Sequence, residues 1–178
     1  MRFRAFIDGA ARGNPGPAGA GVYVSAEGDL PAEEHFEALG HTTNNVAEYR
    51  ALLLALKRAA DRSASDVSIA SDSLLLVQQM LGRYRVKAPN LQPLHAEAFE
   101  RAKSFRRFSI AHVPREDNKK ADRLANLGAD ASERDLAGER FHREKWPPFR
   151  SRRSAGAGRG SSRRSPQRRR RSAGVRRT

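Results

Sequence analysis

Four acids give this chain of 178 residues its chemical interest: Asp8, Glu48, Asp72 and Asp122. Asp8 follows an alternation of Phe3, Ala5 and Ile7 with Arg2, Arg4 and Phe6, a period of two that predicts a strand with the carboxylate at its end. Glu48 falls in the first turn of a predicted helix, where Leu52 and Ala55 share its face and point it towards a sheet. Asp72 lies where a strand hands over to a helix, and Asp122 shares a face with Ala125 and Ala129 in the first turn of the last helix. Each position has an ordinary explanation: turn chemistry before Gly9, a capping box from Asn45 to Glu48, an N-cap at Asp72, and dipole complementarity at Asp122. The set resists those explanations. Three of the four stand at a strand end or at a helix start near one, where open α/β sheets gather their functional groups. Carboxylates that converge repel one another, and their natural partner is a divalent cation with oxygen ligands, Mg²⁺ or Mn²⁺.

The elements that must position these acids can be read along the chain. After Asp8, the residues Gly9, Gly13, Asn14, Pro15, Gly16, Pro17 and Gly19 crowd into eleven positions, so the chain reverses there. Ala20, Val22 and Val24 then alternate with Gly21, Tyr23 and Ser25, which completes a hairpin with an acid at its mouth. Glu33 to Gly40 is placed as a third strand. From Asn45, Val46, Tyr49, Leu53, Leu56 and Ala60 recur at helical spacing. A short strand, Val67 to Ala70, precedes a helix from Ser73 through Leu81, a loop from Gly82 to Pro89, and a helix from about Leu91 to Lys103. "RFSIAHV" is a fifth strand ended by Pro114. The last helix starts at an Asp or Asn cap and carries Ala121, Leu124, Ala125 and Leu127 on one side. This order predicts an α/β layer structure with a five-stranded mixed sheet flanked by helices.

Composition divides the chain. Its formal net charge is +14, yet from Arg143 onward fourteen Arg or Lys stand against the single Glu144, so residues 1 to 142 are almost neutral. The tail is rich in Arg, Ser and Gly, and a segment of that composition is expected to stay disordered. The absence of cysteine excludes disulfides and thiolate metal sites. Asp8 comes too early for a signal-peptide core, and no apolar run approaches the roughly eighteen residues that span a bilayer, so a soluble, cytoplasmic protein is expected.

Four stretches, "FIDGAARGNPGPAGAG", "TTNNVAEYRALLLAL", "IASDSLLLVQQMLG" and "HVPREDNKKADRLAN", occur in an order and at separations that resemble ribonuclease H type 1. The resemblance covers about residues 1 to 130. It implies a catalytic domain, placed over 1–135, that cuts the RNA strand of RNA/DNA hybrids and leaves 5′-phosphate and 3′-hydroxyl ends; composition adds a basic tail over 136–178. It also implies that Asp8, Glu48, Asp72 and Asp122 hold two metal ions, Asp8 bridging both. Asp122 would then help hold the ion that activates water, and Glu48 and Asp72 the one that steadies the leaving oxygen. Gly9, Asn14, Asn44 and Glu48 would contact the nucleic acid. The chain departs from the best-known bacterial pattern in two places. No tryptophan-rich basic helix follows the Asp72 helix, where only Arg83, Arg85 and Lys87 stand in a short segment. His112 reads as a strand residue rather than a catalytic loop histidine, with Arg115 partly in that loop's role. The other histidines, His35, His41, His95 and His142, read as solvated surface. A monomer is expected, with the tail as a polyanion-binding arm. The alternatives are a non-catalytic nucleic-acid-binding module of the same fold, and a module once associated with a reverse transcriptase.

Overall fold

The computed structural model describes residues 1–136. The expected tail lies outside the described residues but for Leu136. Five strands form one sheet in the order β3-β2-β1-β4-β5. β1 (Arg2–Ala11) and β2 (Gly16–Val24) are the antiparallel hairpin, and β3 (Glu33–Thr42) adds antiparallel to β2. β4 (Asp66–Ser71) lies parallel to β1, and β5 (Arg107–His112) parallel to β4. The mixed sheet is as expected.

One face of the sheet carries the core. Phe3, Ala5 and Ile7 of β1 are buried there with Val22, Val24 and Ile69, under Leu52, Leu53 and Leu56 of α1 (Asn44–Asp61). Burying each Phe, Ile, Val or Leu side chain among these stabilises the fold by about 1.5–3 kcal/mol. α2 (Leu74–Met80) and α3 (Gln92–Lys103) complete that layer, with Leu76, Val77 and Ala98 buried. α4 (Lys119–Leu136), entered through a 3-10 turn at Arg115–Asp117, covers β2, β3 and part of β1 on the opposite face. β2 is therefore buried on both sides from Ala18 to Val22. The close approach depends on missing side chains. A Cβ on Gly19 would lie 2.2 Å from the nitrogen of Ala129, and one on Gly21 would lie 2.3 Å from that of Ala125.

Several local expectations need correction. Asp8 is not the last residue of its strand: β1 runs on to Ala11, because its pairing with β2 continues to Ala11 and Ala18 after its last pairing with β4, at Ile7 and Ser71. The first helix is capped by Thr43, whose hydroxyl accepts from the Val46 amide at 3.3 Å, so Glu48 is its fifth residue and not a capping-box acid. Ser73, not Asp72, caps α2 by accepting from the Leu76 amide at 3.3 Å. On α4 the buried stripe is Ala121, Leu124, Ala125, Gly128, Ala129 and Ser132, which leaves Leu127 on the exposed side. Ala60 is likewise exposed, and Ala59 takes the buried position. His95 is not solvated surface: it is half-buried, stacked on Phe99, with its Nε2 3.3 Å from the Gln79 carbonyl. His35 is half-buried beside Glu33, at 2.9 Å. Among the described residues no helix is long and apolar enough to cross a membrane.

Candidate metal centre

The centre forms where β1 and β4 part. Asp8 projects from β1 one residue beyond its last pairing with β4, and Asp72 follows the final residue of β4. Glu48 comes from the second turn of α1. Gly9 brings it in, because the space a Cβ would occupy there is filled by the backbone of Ala47 and Glu48. One carboxylate oxygen from each of Asp8, Glu48 and Asp72 lies within 4.8 Å of the other two. Asp8 and Glu48 are each 5% exposed, whereas Asp72 is half-buried.

Asp122 stands at the margin of this trio. It is half-buried on the first turn of α4 and outside the 4.8 Å group, but its charge still acts on Asp8. The Arg115 guanidinium lies 3.6 Å from Asp122 Oδ1, and Asn126 donates its side-chain amide to the Asp122 carbonyl at 2.9 Å. The sequence-predicted acids thus divide into three together and one alongside.

The electrostatics follow from that crowding. Burial first, and then the Asp72 charge, push the Asp8 carboxyl up to about 7, although Glu48 and the Gly9 amide, donating to Asp8 Oδ1 at 2.9 Å, stabilise its charge. Burial, Asp8 and Asp72 push Glu48 well above the usual carboxylate range. Glu48 Oε2 is buried without a hydrogen-bond partner among the described residues. An unpartnered buried carboxylate oxygen is costly, and a cluster of oxygen acceptors that includes one is suited to a hard divalent cation.

The surroundings hold these acids in place. Asn118, 1% exposed, donates Nδ2 to the Ile7 carbonyl at 2.9 Å, while its own backbone carbonyl accepts the Asp122 amide at 3.0 Å. One residue thereby links the chain next to Asp8 with the turn that carries Asp122. The sequence marked Asn118 only as a possible cap; the signal for more was its place four residues before Asp122. Asn14 Oδ1 accepts the Asn44 amide at 3.2 Å, which ties the hairpin tip to the start of α1. His112 is exposed at the end of β5, a strand histidine as expected.

Residues 6–128 match a family described as reverse transcriptase-like. A bifunctional protein of Mycobacterium tuberculosis is 44% identical over 133 residues, which cover 74% of this chain and 36% of that protein. Ribonuclease HI of Halobacterium salinarum is 44% identical over 130 residues, 72% of this chain and 65% of that one, so the chain spans less than two thirds of either relative. The crystal structure of LC11-RNase H1 in complex with RNA/DNA hybrid aligns with a TM-score of 0.68 and 37% identity, covering 74% of this chain and 99% of that one. A mixed five-stranded sheet, a carboxylate cluster at the parting of its central strands, and these likenesses agree: the chain belongs to the ribonuclease H-like family.

Proposed function

We propose that this protein is an endonuclease that hydrolyses the RNA strand of RNA/DNA hybrids, with Asp8, Glu48, Asp72 and Asp122 holding two divalent cations, Mg²⁺ or Mn²⁺. The observation that carries the reading is the trio of acids within 4.8 Å, one of whose buried oxygens has no partner among the described residues. The chemistry such cations supply when bound is activation of water at neutral pH and neutralisation of charge on the entering and leaving oxygens of a phosphodiester. In this reading Asp8 would serve both cations, Glu48 and Asp72 would help hold one, and Asp122 would help hold the other. Asn118 keeps Asp8 and Asp122 in register. Arg115, exposed beside Asp122, offers a cation to an approaching phosphate. Hydrolysis in this sense leaves 5′-phosphate and 3′-hydroxyl ends.

A hybrid is told from DNA by its 2′-hydroxyls and the A-like shape they impose. Gly9, Asn14 and Asn44 are the proposed contacts. Gly9 has its amide committed to Asp8 and its open side filled by α1, so it acts mainly through the placing of Glu48. Asn14 and Asn44 stand at the hairpin tip and the helix start, where side-chain amides can meet the sugar edge. We further propose a monomer acting in the cytoplasm, with the basic segment after His142 in contact with nucleic acid. The deciding experiment incubates the protein with hybrids labelled on either strand, with Mg²⁺, with Mn²⁺ or with chelator. Cleavage of the RNA strand alone, dependent on the cation, is the expected result; equal cutting of all-DNA duplex would reject the reading.

A further inference from the structure

The part of the sheet that α4 leaves uncovered is both basic and aromatic. Alternation along β1 places Arg2, Arg4 and Phe6 on the same side of the sheet as Asp8. The register extends these rows sideways. Phe6 is flanked by Tyr23 on β2 and Ala70 on β4, Arg4 by Ser68, and Arg2 by Asp66. On β5 the rows end in Ala111, Ser109 and Arg107. α4 begins against Gly21, level with Asp8, and runs away over β2 and β3. Arg2, Arg4, Ser68, Arg107 and Ser109 are therefore exposed, with Phe6 and Tyr23 half-buried.

Each ring on this face holds a cation. The Arg4 guanidinium lies 5.4 Å from the Phe6 ring centre, and the Lys120 ammonium lies 4.1 Å from that of Tyr23 while donating to its hydroxyl at 2.8 Å. The two rings are 6.4 Å apart and tilted by 46°. Besides the acids of the metal centre, Arg2, Arg4, Arg107 and Lys120 share the face with Asp66, which Arg106 engages at 2.7 Å and Arg107 approaches at 3.9 Å, and with Glu34 beside Tyr23, which pairs with Arg123 at 2.6 Å. The remaining side chains, Ser68, Ala70, Ser109 and Ala111, are too small to obstruct a polymer laid across them.

Rings for bases beside cations for phosphates, on an open surface, are what an unpaired nucleic-acid strand requires. A paired duplex keeps its bases in the stack and offers these rings nothing. An acidic peptide would satisfy the cations but not the rings. Phe6 is two residues from Asp8 on the same side of one strand, so their Cα atoms are about 7 Å apart and the face is continuous with the metal centre. We propose that this face binds an unpaired stretch of nucleic acid flanking the duplex whose strand enters the Asp8 centre. The inference rests on the hybrid-cleaving reading for the nature of the polymer.

The test measures binding by the full chain, in EDTA so that nothing is cut, to a blunt RNA/DNA hybrid and to the same hybrid with a single-stranded extension. Wild type is expected to bind the extended hybrid more tightly. Phe6→Leu, which keeps an apolar side chain but removes the ring, and Arg4→Gln, at an exposed site, should each reduce the gain from the extension about five- to tenfold. Blunt-hybrid affinity should stay within twofold. Arg4→Gln should also lower the salt slope for the extended probe by about 0.7. No gain from the extension, a gain untouched by both substitutions, equal loss on both probes, or displacement of the extension by poly-glutamate without loss of the duplex would each overturn the proposal. Cation-dependent cleavage of the blunt hybrid is measured separately, so failure of the nuclease reading is distinguishable from failure of this one.

Discussion

A Cβ on Gly9 would lie 2.3 Å from the backbone nitrogen of Glu48. That closeness is what allows α1 to rest on β1 near enough for Glu48 to meet Asp8. The obstruction is backbone, so it cannot be relieved by rotating a side chain. Gly9→Ala is expected to destabilise the protein by about 1–3 kcal/mol or more. Cleavage should fall further than stability explains, because Glu48 moves with its helix. Thermal unfolding and single-turnover rates measured below the transition check both; a variant with unchanged melting would show that α1 yields easily.

Asp8→Asn keeps the shape of the side chain and removes the charge that both proposed cation positions share. Cleavage of hybrid should drop by several orders of magnitude while the fold is retained. In chelator above pH 7 the variant should melt higher than wild type, because the repulsion from Asp72 and the cost of a buried charge are removed. A rate within tenfold of wild type would remove Asp8 from the chemistry.

Metal-free stability should depend on pH with a sign set by the same group. The Asp8 carboxyl is raised from an ordinary 3.8 to about 7, so the folded protein retains a proton that the unfolded chain releases. Its contribution to stability is therefore greatest below about pH 4, falls as pH rises towards 7, and stays low above that. Glu33 and Asp66, lowered by Arg62 and Arg106, lose their contribution only in the acid range below. Between pH 5.5 and 8 the metal-free protein should melt lower as pH rises, with a smaller change in Asp8→Asn. Added Mg²⁺ should raise the melting temperature more at pH 8 than at pH 5.5. Calorimetry with and without chelator measures this.

Much of this arrangement was legible in the sequence because burial has a period. The alternation of Phe3, Ala5 and Ile7 marked the core face of β1, and the four acids stood out by their places between elements. What stayed hidden was decided by distant contacts. Asp8 reads as a strand end because a glycine-rich turn follows it, but pairing with β2 carries the strand on to Ala11. Asn45 reads as the cap from its spacing to Glu48, but the extended backbone falls at Thr43, which caps the helix instead. Gly9, Gly19 and Gly21 looked like turn residues or weak strand positions; their function is to let helices approach, which no local pattern records.

Asn118→Ala should uncouple Asp8 from Asp122. It leaves the buried Ile7 carbonyl without its 2.9 Å donor, at a cost of about 1–3 kcal/mol. The Asp122 amide keeps its bond, since the acceptor is the Asn118 backbone. The expected signature is a loss in kcat together with a higher cation requirement, at nearly unchanged KM for hybrid. If stability falls but the cation requirement stays fixed, Asn118 serves the fold alone.

The last expectation separates the domain from the basic segment that follows it. Fourteen Arg or Lys and one Glu lie from Arg143 to Thr178, which accounts for nearly the whole net charge of +14. All four acids and the whole sheet lie before that segment. Removing residues 143 to 178 should therefore leave the melting temperature and the preference for the RNA strand unchanged. Affinity should fall, and its dependence on salt should flatten. Each phosphate left without its protein cation lowers the slope of log affinity against log salt by roughly 0.7 to 0.9, so a segment using about four to eight cations would change it by roughly 3 to 7. The change is larger than the effect expected of Arg4→Gln, so the two contributions can be told apart on one probe. An unchanged slope between about 50 and 200 mM salt would mean that the segment does not touch the substrate, and that the sheet face and metal centre bind it alone.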